Sequence, residues 1–126
     1  MRILFFSSHL LSCLLYAQPV NLVPNPSFEK HKQLPTNVGE GKVCLSDWVV
    51  PVAKGNGDYY HADAKNEEAN TGQNYFGGQT PHDGKAYAGF CVTETYREYL
   101  QVPLLHALEK GKRYRISFYI SSGDKA

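Results

Sequence analysis

The chain has 126 residues, 13 Lys+Arg against 12 Asp+Glu, and a formal net charge of +1. That balance provides no basic field to hold a nucleic acid or an anionic membrane surface. Its 11 glycines, 9 tyrosines and single methionine suit one extracellular β-type domain with long loops and a modest core.

The N-terminus has the pattern of a secretory leader. Met1-Arg2 is a short positive region, Ile3 to Leu15 is apolar but interrupted by Ser7, Ser8, His9 and Ser12, and Leu15-Tyr16-Ala17 puts a small residue before a cut at Gln18. The run is too short and too interrupted for a comfortable membrane span. Residues 1–17 are therefore expected to be a signal peptide and 18–126 the folded domain, with no membrane span after cleavage. Two rivals remain open: Leu10-Leu11-Ser12-Cys13 as a lipid-attachment site with Cys13 as first residue, and an uncleaved anchor. Loss of Arg2 with the leader brings Lys+Arg down to 12, equal to Asp+Glu at 12.

Cys44 and Cys91 survive cleavage. In an oxidising compartment they could pair, which the chain-entropy model values at about 4 kcal/mol. The alternative is two separate thiols acting as small hydrophobes. Without CxxC spacing they are no evidence for zinc.

In chain order, Asn21 to Glu29 contains Pro24 and Pro26, which exclude a helix and leave an edge strand or extended arm anchored by Phe28. Lys30 to Val43 is a polar loop. Leu45 to Pro51 is a short strand stopped by proline and carrying the only tryptophan, Trp48, expected to be a core aromatic with its indole N–H satisfied. Ala53 to Gln73 is the least regular stretch: Gly55 to Asp58 is turn chemistry, Tyr59-Tyr60-His61 is aromatic, and Ala62 to Ala69 has no amphipathic stripe. Asn74 to Gly78 is a short strand or docked loop.

The chain is organised around residues 81–92. Pro81, Asp83 and Gly84 form a turn, and the strand after it sets Ala86, Ala88, Phe90 and Val92 on one face and Tyr87, Gly89 and Cys91 on the other. Both faces are apolar or small, which predicts a central strand covered on both sides. Thr93-Glu94-Thr95 is short enough for a hairpin into Tyr96 to Val102, with Tyr96, Glu98 and Leu100 on one side and Arg97, Tyr99 and Gln101 on the other. Residues 103–108 cross over, and Glu109 to Lys112 turn. The last segment has the clearest period of two, with Tyr114, Ile116, Phe118 and Ile120 predicted inward and Arg113, Arg115, Ser117 and Tyr119 outward. Short strands with Gly/Pro loops predict an all-β, antiparallel β-sandwich.

Taken together, NLVPNPSFE, DW, GDYYH, FGGQTPHDGKAYAGF, YREYLQVPL and EKGKRYRISFYIS resemble the N-terminal β-sandwich region of secreted or envelope proteins of Bacteroidetes-type bacteria, some of which end in an OmpA-like peptidoglycan-binding domain. NxSFE, the following Trp and G-K-x-Y-x-x-S-F-Y also resemble jelly-roll, galactose-binding-like carbohydrate-binding modules. The resemblance implies a jelly roll with further strands after SFYIS, so the domain is expected to be incomplete at its C-terminus, with a downstream domain of the parent protein as partner. It also implies a secreted, periplasmic or outer-membrane location, and a structural calcium ion at Glu29 as the one candidate cofactor.

Several side chains could carry chemistry. Asp58, His61 and Asp63, with His82-Asp83, are metal-ligand residue types, but Asp-rich loops more often serve turns and solvation. Glu94 and Glu98, i and i+4 on a strand, would lie roughly 13 Å apart, beyond usual glycosidase spacing. No nucleophile elbow, HExxH helix or phosphate-binding glycine loop occurs. The expectation is thus a non-catalytic module. A glycan-binding reading places Tyr59, Tyr60, Tyr75 or Trp48 on sugar rings, with Asp58, His61 and Asn74 as hydrogen-bonding groups. A structural or adhesive reading puts those rings in the core.

Overall fold

The computed structural model describes residues 20–51 and 55–125. The expected leader, its cut at Gln18 and the rival lipid site at Cys13 lie outside the described residues, as do Val52, Ala53 and Lys54.

Regular structure is sparse. A single helical turn, α1 (Gly41–Cys44), and two strands, β1 (Asp58–His61) and β2 (Ala86–Gly89), are the named elements. The strands pair antiparallel, with Asp58 opposite Gly89, Tyr59 opposite Ala88, Tyr60 opposite Tyr87 and His61 opposite Ala86. Isolated antiparallel bridges extend this pairing, joining Val92 to Arg97 and Gln101 to Val49. The described chain is therefore mostly extended or coil, with one two-stranded antiparallel sheet.

The turn before β2 forms as its residues dictate. Gly84 takes a φ of 68°, a left-handed conformation that a side chain resists. The hairpin after it forms too: Thr93 N–H donates to the Tyr96 carbonyl at 2.7 Å, and Glu98 N–H to the Cys91 carbonyl at 3.0 Å. The Glu109–Lys112 turn closes with Gly111 at φ 84°. α1 fell within the segment expected to be loop, and β1 within the stretch expected to be irregular. What makes β1 possible is Gly57 at φ 56°, which swings the chain into an extended run of ring-bearing residues that suit a pleated surface.

The two faces of the sheet differ. Tyr59, Ala86 and Ala88 look onto the core, where Cys44 and Leu45 are fully buried and Phe28, Trp48 and Leu100 pack around them. Phe28 anchors the N-terminal arm as expected, its ring centroid 4.9 Å from that of Trp48. Asn25 fixes the entry of that arm: its amide nitrogen donates to the carbonyls of Lys30 and Ser46, its amide oxygen accepts from Lys30 N–H, and its own carbonyl receives the Trp48 indole N–H at 2.9 Å. The opposite face carries Asp58, Tyr60, Tyr87 and Gly89, with Asp58 and Tyr60 also buried.

Loops are ordered by side chains in place of ladders. Asn66, Asn70 and Asn74, four residues apart, each accept the N–H two positions on, from Glu68, Gly72 and Phe76. This is the Asx turn, which short amides favour because they mimic a backbone carbonyl.

Two expectations are corrected. β2 is one of two strands, not a central strand covered on both sides, and past Gly89 the chain surfaces so that Phe90 and Val92 are exposed. Residues 113–121 form no strand, and Tyr114, Ile116, Phe118 and Ile120 all face solvent. Alternation states which face a strand would bury, but a strand also needs a hydrogen-bonded neighbour, and none of the described residues supplies one. Of the two readings left open for the cysteines, the structure has the separate one, with Cys44 and Cys91 both free. Cys44 ends α1 inside the core while Cys91 sits at the start of the hairpin, so the two serve separate parts of the fold.

Candidate functional site

The densest polar chemistry surrounds Glu98, which the hairpin folds back beside Cys91 and which is only 5% exposed. Its Oε1 accepts from Asn56 N–H at 3.1 Å, Gly57 N–H at 3.0 Å and the Tyr96 hydroxyl at 2.7 Å. Its Oε2 accepts from Cys91 N–H at 2.8 Å. A buried carboxylate held by four donors and no cation is a charge-assisted cluster. Burial pushes its pKa up, but the Tyr96 hydroxyl and the three N–H groups outweigh it, and the net shift is downward. The carboxylate thereby ties the hairpin to the turn preceding β1, where the strand ladder itself has ended.

Other carboxylates do the same work. Asp58 Oδ1 accepts from Gly39 N–H at 2.6 Å. Burial raises the Asp58 pKa, the Gly39 bond lowers it, and the nearby Glu98 charge raises it again, leaving it above the ordinary value. Glu40 accepts from the N–H groups of Thr36 and Asn37 and from the Thr36 hydroxyl, which lead the chain into α1. Glu29 Oε1 accepts from Lys85 N–H at 2.8 Å and Ala86 N–H at 3.0 Å, strapping the arm to the start of β2. Two N–H donors converging on one oxygen make an acceptor site for backbone, not a cation's ligand set. Among the described residues no group of three or more His, Cys, Asp or Glu side chains could hold a metal ion. The Glu29 oxygen Oε1 is committed to the strap between the arm and β2.

The residues expected to meet a ligand are scattered. Tyr59 and Tyr60 lie on β1 and are buried, Tyr59 donating its hydroxyl hydrogen to the Phe28 carbonyl at 3.0 Å. The Tyr60 hydroxyl is buried beside the Asp58 carboxylate without a well-formed hydrogen bond to it. Trp48 is half-buried with its N–H engaged by Asn25. His61 is buried; its Nδ1 accepts from Asp63 N–H at 3.1 Å and its ring meets that of His31 edge-on at 5.0 Å. Burial, and then His31, push its pKa down. Asp63 is drawn to the Lys85 ammonium at 2.9 Å, an exposed pair. Glu94 is exposed while Glu98 is buried, so the two carboxylates do not share an accessible site.

Tyr75 alone of the four rings stands in solvent. It borders an open cleft of about 260 Å³ that is lined by Glu67, Glu68, Gln73, Asn74, Tyr75 and Lys125. Asn74 reaches away from that cleft to the Tyr87 hydroxyl at 2.6 Å. A smaller hollow of about 220 Å³ lies over Phe90, Glu98, Tyr99 and Leu100. The part of Glu98 was hidden in the sequence because three of its four donors are backbone N–H groups, which nearly every residue carries.

Among the described residues no helix is long and apolar enough to cross a membrane. No family model matches this chain, and comparison with curated proteins and with solved structures finds no match to it.

Proposed function

We propose that this chain is a non-catalytic module of a secreted or cell-envelope protein, of the β-sandwich type, whose role is structural or adhesive. The observation that carries this reading is the placement of Tyr59 and Tyr60. The rings best placed in the sequence to stack on a sugar are buried, flanked by Asp58 and His61 that are themselves buried. The carboxylates support it as well. Glu98 holds four donors and has a lowered pKa, so it keeps no proton to deliver as a general acid. Location outside the cytoplasm rests on the leader-like N-terminus and on the family resemblance, which also supplies the downstream domain as partner.

A glycan array probed with the full chain tests this reading, and no retention is expected. A second reading, glycan binding, is favoured by one observation only, the exposed Tyr75 beside its polar cleft. Retention of a glycan that Tyr75→Ala abolishes without loss of stability would replace the first reading by the second. N-terminal sequencing of exported protein should begin at Gln18; lipid on Cys13 would instead make the module a lipoprotein.

A further inference from the structure

Residues 113–121 belong to no helix or strand, although their side chains alternate as a strand's would. None of their backbone groups bonds to another backbone group among the described residues. Ile116, Phe118 and Ile120 are 86%, 73% and 79% exposed. Yet the segment is tied to the fold at its C-terminal end, while Tyr114 bonds to the adjoining turn. The Tyr114 hydroxyl accepts from Glu109 N–H at 2.9 Å, the Tyr119 ring stacks on His82 at 3.4 Å, and Ser121 Oγ donates to Gln79 Oε1 at 2.8 Å. An alternating segment with exposed apolar side chains, open backbone edges and one end tied down is a template for strand addition, and part of its ordering cost is met before a partner arrives.

We propose that the partner is a second copy of this chain, its residues 113–121 pairing antiparallel with the same residues across a two-fold axis at Ser117. The sequence is self-complementary in that register. Tyr114 meets Ile120 of the other copy and Ile116 meets Phe118, which closes the apolar face on itself. On the other face Arg115 meets Tyr119, Arg113 meets Ser121, and Ser117 meets Ser117. No arginine faces an arginine, and aromatic–aliphatic pairs directly opposite one another are favourable. A parallel, in-register pairing would instead bring each arginine alongside its twin. A slip of one residue would set apolar side chains opposite polar ones. Shifts that preserve the faces leave part of the segment unpaired, whereas the Ser117 axis uses all of it. The interface is isologous, so it closes at two copies on this edge.

The test is site-specific cross-linking of the full chain under mild oxidation. Across an antiparallel pair the two Cα atoms are about 4.5–5.5 Å apart, within disulfide range. Ser117→Cys should give a covalent dimer at least tenfold faster than Ser121→Cys, whose opposite residue is Arg113, or than the unsubstituted chain. Light scattering of the unsubstituted chain should give twice the monomer mass. Ile116→Lys and, separately, Ser117→Pro should restore the monomer mass with the Trp48 emission unchanged. A monomeric unsubstituted chain overturns the proposal; slow amide exchange over 113–121 in that monomer would mean another part of the same chain covers the segment. Equal cross-linking at 117 and 121 overturns it as well, since that pattern signifies unregistered association.

Discussion

Replacing Glu98 by glutamine changes two atoms' worth of chemistry in the most heavily bonded buried group. The carboxylate accepts from three backbone N–H groups and one hydroxyl through two oxygens. Glutamine keeps one oxygen. If that oxygen takes the place of Oε1, the new NH₂ group faces Cys91 N–H, donor against donor; the reverse orientation sets it against Asn56, Gly57 and Tyr96. At least one charge-assisted bond is lost, and the others become neutral. Hydrogen bonds to charged groups are worth about 1.5–3 kcal/mol each, so Glu98→Gln should cost about 2–4 kcal/mol. Against the ~5–15 kcal/mol stability of a typical domain that is a large share. Urea denaturation followed by Trp48 emission measures it, with the slope expected to stay constant while the midpoint falls. The pH dependence adds a sign. The Glu98 pKa is lowered from 4.5, so its contribution is complete above that value and drains away as pH falls through the folded-state pKa. The gap between the native chain and Glu98→Gln should therefore close in acid. A difference below about 0.5 kcal/mol at neutral pH, typical of a surface substitution, would refute the argument that this carboxylate holds the hairpin to β1.

Asp58 has the opposite sign: its raised pKa means its charge is a burden above the folded-state value, so Asp58→Asn, which can still accept from Gly39, should lose no more than about 0.5 kcal/mol at neutral pH. A loss above 2 kcal/mol on the same denaturation scale, roughly a broken buried bond, would contradict that assignment. Tyr60→Phe removes a buried hydroxyl that lies beside the Asp58 carboxylate without a well-formed hydrogen bond to it, and stability should change by less than about 1 kcal/mol; a larger fall would show that the two are bonded in solution. Gly84→Ala should destabilise by about 1–2 kcal/mol because φ is 68° and the added carbon would meet the Glu29 carboxylate; an unchanged thermal midpoint would mean the turn has another conformation.

The legible parts of this fold are those where a residue's own covalent chemistry decides. Gly84 and Gly111 announced their turns, the hairpin at 93–96 followed from its length, and Phe28 and Trp48 were recognisable anchors. The alternation is also seen from Arg97 to Gln101, with Glu98 buried and Leu100 half-buried between exposed Arg97, Tyr99 and Gln101, whereas Tyr96, placed on the side of Glu98, is exposed. β1 was not legible because all four of its residues are buried, so no polar face reveals a period of two. Its boundary also depends on Glu98, some 40 positions away, which receives Asn56 and Gly57 N–H. Residues 113–121 show the converse failure: the period is plain, but pairing needs a second strand, and no pattern within the segment can specify one. The ligand candidates failed for a related reason. Tyr59 and Tyr60 are equally good as sugar platforms and as core, and only the position of the sheet decides.

The central claim is that buried carboxylates fasten this loop-rich chain by holding backbone N–H groups, and native-state hydrogen exchange at single amides tests it most directly. Asn56, Gly57 and Cys91 lie outside the strands, yet each donates to Glu98. The account predicts that these three amides exchange as slowly as those of β1, and that Glu98→Gln speeds all three together while the Asn66, Asn70 and Asn74 turns keep their rates. Exchange at Asn56, Gly57 and Cys91 as fast as in open loops, or unchanged by the substitution, would contradict it.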